Sequence, residues 1–211
     1  MRRLLTGLFL ILSSLTAIAQ NDAEAVRILD RFSALALGSP SVSMKFSMET
    51  IDQVEGTNNT VSGSAILSKE SYRIEMPDNI IWFNGETSWS YLPDEKEVTI
   101  ARPDRKENSF MTKPSSIFSL YKKGYKVRLL EEKADSWLID LYPDDINSDH
   151  IRIRLNIGKP ALDLRSLEYK YKNGITAMLS VREFDLKKQP SISEFTFPAA
   201  DYKGVEVIDM R

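Results

Sequence analysis

The chain has 211 residues and a formal net charge of −2, with 28 Lys and Arg side chains interleaved among 30 Asp and Glu. This balance argues against a nucleic-acid partner or an anionic membrane surface. The complete absence of cysteine excludes disulfides and thiolate chemistry. In an exported protein it suits a bacterial periplasm better than a small disulfide-stapled module.

The N-terminus has the pattern of a secretory signal peptide. Two arginines precede an apolar run over 4–15, and Ala17-Ile18-Ala19 supplies an A-x-A cleavage site. The apolar run is short for a membrane span, although a retained signal anchor is the alternative. We therefore predict that residues 1–19 are removed and that residues 20–211 form a single periplasmic domain. Because no cysteine follows the cleavage site, the protein is not expected to be a lipoprotein itself.

A helix and two strands are predicted next. The helix spans 22–37, with Asp22 as N-cap and Gly38 as its stop, and its broad apolar stripe needs an apolar surface to lie on. The strands lie at 41–51 and 60–68. Their predicted inward side chains are Val42, Met44, Phe46 and Met48 on the first and Leu67 on the second.

Residues 71–100 are predicted to form four short antiparallel strands, and they organise the rest of the chain. A three-residue loop at Pro77-Asp78-Asn79 would place Met76 opposite Ile80. A two-residue Asn-Gly turn would place Ile80 opposite Trp89 and Trp82 opposite Thr87. The next loop would place Tyr91 opposite Val98 and Trp89 opposite Ile100. Because strand 80–83 is apolar on both faces, a one-residue register error remains open there.

This register assigns one apolar, aromatic face to the meander. Since alternate residues of a strand share a face, the opposite face is polar apart from Ile81 and Phe83. The apolar face then carries Tyr72, Ile74, Met76, Ile80, Trp82, Trp89, Tyr91, Val98 and Ile100.

The second half of the chain continues the β pattern. A short helix is predicted at 114–121, followed by strands at 125–130, 137–142 and 150–157. A long hairpin over 162–181 is predicted to turn through a three-residue loop at 172–174, with a second bulge near 165–166. A last strand is expected at 204–209. The fold class is therefore mainly β: an antiparallel, unclosed half-barrel of about 11 strands, with helices over its apolar concave face.

No constellation for catalysis is present in the sequence. His150 is the lone histidine and is interpreted as an exposed strand-end residue. Adjacent carboxylates such as Asp144-Asp145 fall in turns, where they are usually solvated. The sequence contains neither a G-x-S-x-G elbow nor a glycine-rich phosphate loop. We predict no enzyme activity, no cofactor and no metal site.

Five segments together resemble the outer-membrane lipoprotein carrier (LolA) family, in its LolA-like branch. They are Leu29-Asp30-Arg31-Phe32, Tyr72-Arg73-Ile74-Glu75-Met76-Pro77, Asn84-Gly85-Glu86-Thr87-Ser88-Trp89-Ser90-Tyr91, and Phe195-Thr196-Phe197-Pro198 with Gly204-Val205-Glu206-Val207. Their order and spacing match the family pattern over nearly the whole mature chain. The resemblance implies an unclosed barrel with a helical lid over a hydrophobic cavity that carries acylated lipoproteins.

The resemblance assigns expected roles to residues of this chain. The family's lid-contacting arginine, on the strand before the second motif, is replaced by Lys69-Glu70, so Arg73 or Lys69 is the expected lid latch. The expected lid residues are Phe32, Ile117, Phe118, Leu120 and Tyr121. The expected lipid-binding residues are Val42, Met44, Phe46, Met48, Leu67, Tyr72, Ile74, Met76, Ile80, Trp82, Trp89, Tyr91, Ile100, Ile151, Ile153 and Leu155.

The implied partners are acylated lipoproteins as cargo, an inner-membrane lipoprotein-releasing ABC transporter and an outer-membrane acceptor, with the carrier itself a monomer. Such cargo needs shielding, because burying each CH₂ of an acyl chain contributes ~0.8 kcal/mol. One alternative is an interaction module, a filled barrel whose aromatic face is packed and which binds a protein or glycan at its rim. Another is a lipid or lipoprotein sensor of similar fold that transports nothing.

Overall fold

The computed structural model describes residues 21–103 and 113–211. The predicted signal peptide lies outside these ranges. The described residues form one α-helix, α1 (Ala23–Gly38), and 12 strands in a single sheet. The strands are β1 Val42–Asp52, β2 Thr57–Ser68, β3 Ser71–Glu75, β4 Ile80–Phe83, β5 Ser88–Leu92, β6 Glu97–Ala101, β7 Tyr125–Glu132, β8 Ser136–Pro143, β9 His150–Gly158, β10 Leu164–Tyr171, β11 Ile175–Asp185 and β12 Glu206–Asp209.

The strand order is β12-β6-β5-β4-β3-β2-β1-β11-β10-β9-β8-β7. The sheet is unclosed because its edge strands, β12 and β7, do not pair with each other. This confirms the predicted fold class, with 12 strands rather than about 11. The described pairs are antiparallel except for β12, which runs parallel to β6 and so departs from the all-antiparallel prediction.

Helix α1 begins where the sequence predicts. The Asp22 carboxylate accepts hydrogen bonds from the backbone N–H groups of Glu24 (3.0 Å) and Ala25 (3.3 Å), which satisfies donors that have no partner inside the helix. The buried stripe of the helix consists of Ala25, Ile28, Leu29, Phe32, Ser33 and Ala36. In the described ranges, none of the helices has the length and apolar character that a membrane crossing requires.

The hairpin of β10 and β11 also follows the prediction. Leu167 lies opposite Leu179, and Tyr169 lies opposite Ala177. The predicted bulge is present as a shift in register between Leu164 and Ser166. Because alternate residues of a strand share a face, these four residues lie on the same face of the sheet as α1.

The sheet has two faces that matter for function. The helix face is the one on which α1 lies, and the outer face is the opposite one. The main core lies between α1 and the helix face, where side chains from most strands are buried. Central strand β1 pairs with β2 on one side and with β11 on the other, so the core joins both halves of the chain.

Candidate functional site

Helix α1 is held against the sheet at its N-terminal end. The backbone N–H of Asp22 donates to the Val127 carbonyl of edge strand β7 (3.0 Å), and the Asn21 side chain accepts from the Val127 N–H (2.9 Å). Beyond the other end of the helix, the buried Ser41 hydroxyl donates to the Lys188 carbonyl (2.7 Å). The helix is thereby fixed as a cover over the helix face.

A second cover, the lid segment, is residues 113–122. It contains two 3₁₀ turns, Pro114–Phe118 and Leu120–Lys122, where the sequence predicts one short helix. The Phe118 ring meets the Phe32 ring of α1 in a T-shaped contact with centroids 5.6 Å apart. Both of these side chains are 1% exposed. Ile117 and Tyr121 are also buried, and Leu120 is half-buried, so the predicted lid residues do lie over the core.

Two polar contacts tie the lid segment to its surroundings. The Tyr121 hydroxyl donates to Asp30 Oδ1 of α1 at 2.6 Å, and Lys113 Nζ lies 3.7 Å from Glu70 Oε1 in the β2–β3 turn. Burial raises the pKa of the Tyr121 phenol, and the hydrogen bond to Asp30 raises that pKa further. Sequence reasoning missed the contact between Tyr121 and Asp30, because the two residues are 91 positions apart and no local pattern links them.

The predicted latch is wrong for Arg73. This residue lies on the outer face, where its guanidinium is 5.6 Å from the centroid of the Trp82 ring and forms an ion pair with Glu75. The sheet therefore separates Arg73 from the lid segment. For Lys69 the role stays a prediction; in the described chain, its neighbour Glu70 makes the ion pair with the lid segment.

Part of the helix face is apolar but incompletely covered. We call it the half-buried wall, and it consists of Met48, Ile74, Ile81, Tyr169, Leu179 and Val181. Met48 lies opposite both Val61 and Leu179, and Ile74 lies opposite Ile81. Each side chain packs against the core on one side and keeps accessible surface on the other. Met48 adds a flexible side chain that can adapt to an irregular apolar partner.

The position of the Phe46 ring explains why residue 63 is a glycine. A Cβ atom at position 63 would come within 2.8 Å of Phe46 Cζ and 2.5 Å of the Glu75 carbonyl oxygen. Such distances are not tolerated, so glycine at this position lets the ring lie close to the backbone of β2.

Most of the predicted lipid-binding residues lie on the helix face, and their role in binding stays a prediction. Met48 and Ile74 belong to the half-buried wall, Met76 is half-buried beside the β3–β4 turn, and Ile151 is 45% exposed. The buried members are Val42, Met44, Phe46, Leu67, Tyr72, Ile153 and Leu155.

Five predicted residues lie on the other face of the sheet, so their placement with Ile74 is wrong: Ile80, Trp82, Trp89, Tyr91 and Ile100. In the structure Ile80 is opposite Glu75, whereas the sequence prediction pairs it with Met76. Ile81 and Phe83, the predicted exceptions of the polar face, lie on the helix face instead, and Phe83 packs on Tyr72 with ring centroids 5.1 Å apart.

The cause is a turn one residue shorter than predicted. Met76 and Asn79 exchange backbone hydrogen bonds of 2.9 and 3.3 Å, leaving a two-residue turn of Pro77 and Asp78. A shift of one residue sends every later side chain to the opposite face. The next turn is also wrong, since Trp82 lies opposite Trp89, not Thr87; this shift of two keeps the faces unchanged. The predicted pairing of Tyr91 with Val98 is confirmed.

The displaced residues belong to a second apolar cluster on the outer face. It is covered by the strap, residues 186–205, which includes the 3₁₀ turn Ile192–Phe195 and leads into β12. The Trp82 ring contacts Phe197 (5.4 Å between centroids) and Tyr202 (5.9 Å), and Tyr91 lies 4.7 Å from Tyr202. Trp82 is 1% exposed and Val98 is fully buried. These rings enclose Trp82 and Val98, and a cavity of about 540 Å³ remains beside them, lined by Arg73, Trp82, Ser193, Glu194, Thr196, Pro198, Asp201 and Tyr202.

One end of the helix face carries half-buried aromatic residues that we call the tyrosine end: Tyr125, His150, Tyr169 and Tyr171. The prediction that His150 is exposed is wrong, because only 13% of its side chain is accessible. Its Nε2 contacts the Tyr125 hydroxyl (3.0 Å), and its Nδ1 contacts Asp149 Oδ1 (2.8 Å). Strands β9 and β10, together with β7 on the far side of β8, thus bring together aromatic rings with polar edges.

Comparison with known proteins agrees with this architecture. Residues 15–145 match the family described as outer membrane lipoprotein carrier protein LolA. No curated protein matches the chain. An uncharacterized conserved protein from Thermus thermophilus has the same fold, with 14% identity, a TM-score of 0.54 and coverage of 88% of this chain and 99% of that one.

Two further solved structures are more distant. A LolA superfamily protein from Nitrosomonas europaea has 11% identity and a TM-score of 0.42, covering 83% of this chain and 98% of that chain. The Mycobacterium tuberculosis lipoprotein LppX has 13% identity and a TM-score of 0.44, covering 81% of this chain and 98% of its own. The family match spans more than half of the residues, and the chain therefore belongs to the outer membrane lipoprotein carrier protein LolA family.

Proposed function

We propose that this protein is a periplasmic carrier that binds the acyl chains of lipoproteins on its helix face and moves them from the inner to the outer membrane. Membership of the family implies lipoprotein binding or sorting. The observation that carries the finer proposal is the half-buried wall, an uncharged apolar surface next to a cover fixed by few polar contacts.

The physical demand of the task matches this surface. An acyl chain contributes ~0.8 kcal/mol for each buried CH₂, so a lipoprotein does not leave a membrane for water unless its chains are shielded. Shielding requires apolar area and a movable cover, and it requires no chemistry. The side chains of the half-buried wall offer the area, and opening of the lid segment would break the Tyr121–Asp30 hydrogen bond and separate Phe118 from Phe32.

The partners and location follow from the same proposal. The signal peptide predicted over 1–19 would deliver the chain to the periplasm. There an ABC transporter of the inner membrane would hand over the acylated lipoprotein, and an outer-membrane acceptor would receive it. The carrier is proposed to act as a monomer, because one helix face would shield one set of acyl chains.

A transfer assay tests this proposal. Inner-membrane vesicles with a radiolabelled lipoprotein are incubated with the purified protein, and soluble lipoprotein is measured after the membranes are sedimented. We expect a soluble complex for the acylated cargo and none for the same cargo with its lipidated cysteine replaced by serine. Failure to bind any acylated cargo or acyl ligand contradicts the proposal.

A second candidate function is a non-transporting module that binds a lipoprotein or another protein. The dense packing beneath α1 favours it, because Phe32, Ile153 and Leu155 are each 1% exposed and leave little room for a ligand at that point. The same assay separates the two candidates. A module of this kind would bind cargo in solution without releasing it from one membrane and delivering it to another.

A further inference from the structure

The tyrosine end differs chemically from the rest of the helix face. Tyr169 belongs to the half-buried wall, and its ring stacks on Tyr171 with centroids 6.0 Å apart and an interplanar angle of 19°. Tyr171 is the next residue of β10 on the same face. Tyrosine combines an apolar ring with a polar hydroxyl and is favoured where an apolar surface meets water.

The hydroxyl groups of this cluster are not equivalent. The Tyr125 hydroxyl contacts His150, but in the part of the chain that the structure describes the hydroxyls of Tyr169 and Tyr171 have no hydrogen-bond partner. Burial raises the pKa of both phenols, with the nearby Asp149 adding to the shift. Both therefore remain protonated at neutral pH and can each donate one hydrogen bond.

A cavity of about 430 Å³ opens beside Tyr171. It is lined by Asp149, Tyr171, Lys172, Asn173 and Ile175. Strand β11 connects it to the half-buried wall, because Leu179, Ala177 and Ile175 follow one another on the helix face, with Tyr169 opposite Ala177. An elongated ligand could therefore lie along β11, with its apolar part at Leu179 and its polar part at Ile175.

We propose that Tyr169 and Tyr171 bind the ester end of a diacylglyceryl group by donating hydrogen bonds to its carbonyl oxygens. This inference rests on the proposed function, in which the acyl chains lie on the half-buried wall. An ester carbonyl accepts hydrogen bonds and cannot donate them, so it complements hydroxyl donors that lack a partner. Tyr169 belongs to the apolar wall and the adjoining Tyr171 lines the cavity, so the pair spans the boundary where the ester of such a ligand would lie.

Ester and ether lipids provide the test. Affinities are measured by calorimetry for a dioctanoyl-glyceryl cysteine lipopeptide and for its dioctyl ether analogue, which has the same chain length but no carbonyl oxygens. A neutral hydrogen bond contributes about 1 kcal/mol, so we expect wild type to prefer the ester about fivefold for each hydroxyl engaged. The Tyr169→Phe and Tyr171→Phe variants, single and combined, should lose this preference while ether binding stays unchanged. Tyr91→Phe, which removes a hydroxyl from the outer face, is the matched control.

The outcomes are distinct. If wild type binds the ester and the ether lipopeptides with equal affinity, the inference is overturned without measurement of any variant. The proposed function is not contradicted by that result. An ester preference that persists in the double variant also overturns it. If neither lipopeptide binds, the proposed function fails as well. A parallel ester and ether pair of dioctanoyl phosphatidylglycerol identifies the source of the group: a preference with the lipopeptide alone indicates lipoproteins, and a preference with both indicates any diacylglyceryl lipid.

Discussion

The strands β3–β6 present apolar side chains on both faces, but the two faces are covered in different ways. On the helix face, Ile74 and Ile81 are half-buried, and side-chain contacts tie the lid segment to α1 and to the β2–β3 turn. On the outer face, the strap packs aromatic rings onto Trp82 and continues into β12, which hydrogen-bonds to β6 along its backbone. An apolar face is thus a candidate binding surface only where its cover is incomplete.

The largest expected effect tests whether the outer face is a closed core. Trp82→Ala removes a fully buried ring, and such truncations cost about 3–5 kcal/mol. We expect urea denaturation to show this loss, while the protein that remains folded binds an acyl ligand with wild-type affinity. Trp89→Ala, at a half-buried position of the same face, should cost less. Loss of ligand affinity in folded Trp82→Ala would mean that the outer face takes part in binding.

A pair of glutamate variants tests the opposite faces at similar depth. Ile74→Glu introduces a carboxylate into the half-buried wall, where it can reach water, so the melting temperature should stay within a few degrees of wild type. An acyl chain would have to desolvate that charge, at a cost of several kcal/mol, and we expect binding to fall more than tenfold. The control is Ile80→Glu on the outer face, which should retain binding. Equal effects of the two variants would contradict the assignment of faces.

A smaller effect is expected at the contact between the lid segment and α1. Tyr121→Phe keeps the ring but removes the hydrogen bond to Asp30, which should lower the free energy of unfolding by about 1 kcal/mol. Hydrogen exchange in the lid segment should become faster, whereas exchange in the strap should not change. Asp30→Asn keeps an acceptor oxygen and should have less effect. Faster exchange in the strap would show that the two covers are coupled.

The smallest effect is a dependence on alkaline pH. The pKa of Tyr121 is raised from its usual 10.0 in the folded protein, mainly by burial, so the unfolded chain loses this proton first as the pH increases. Its contribution to stability is therefore complete below about pH 10 and is lost progressively as the pH rises toward the folded pKa. Thermal melts between pH 8 and 11 should show this decline, and Tyr121→Phe should make it shallower. An unchanged slope in the variant would exclude Tyr121 as the source.

Local patterns in the sequence predicted a large part of the fold. Asp22 followed by an apolar stripe indicated α1, and Asn173-Gly174 between alternating strands indicated the β10–β11 hairpin with its register. These features depend on residues that are close in sequence. The same reasoning identified the lid residues, because Ile117 and Phe118 follow a proline in a short apolar segment.

The site was only partly predictable, because face assignments must be carried across turns. Pro77-Asp78-Asn79 is compatible with a loop of two or three residues, and strand β4 is apolar at every position, so its pattern could not decide between them. The strap could not be foreseen as the cover of Trp82, since that contact joins residues more than a hundred positions apart. Long-range packing, not local propensity, determined which apolar face is closed.

The order of the strap in the chain has a consequence for folding. Strands β3–β6 are translated well before residues 186–205, yet those residues are what shields Trp82, Tyr91 and Val98. During that interval the meander exposes a flat aromatic surface together with the unpaired edge of β6, a combination that promotes aggregation of incomplete chains. The nascent protein is therefore expected to depend on holding factors until its C-terminal residues arrive, even though the finished molecule has this surface enclosed.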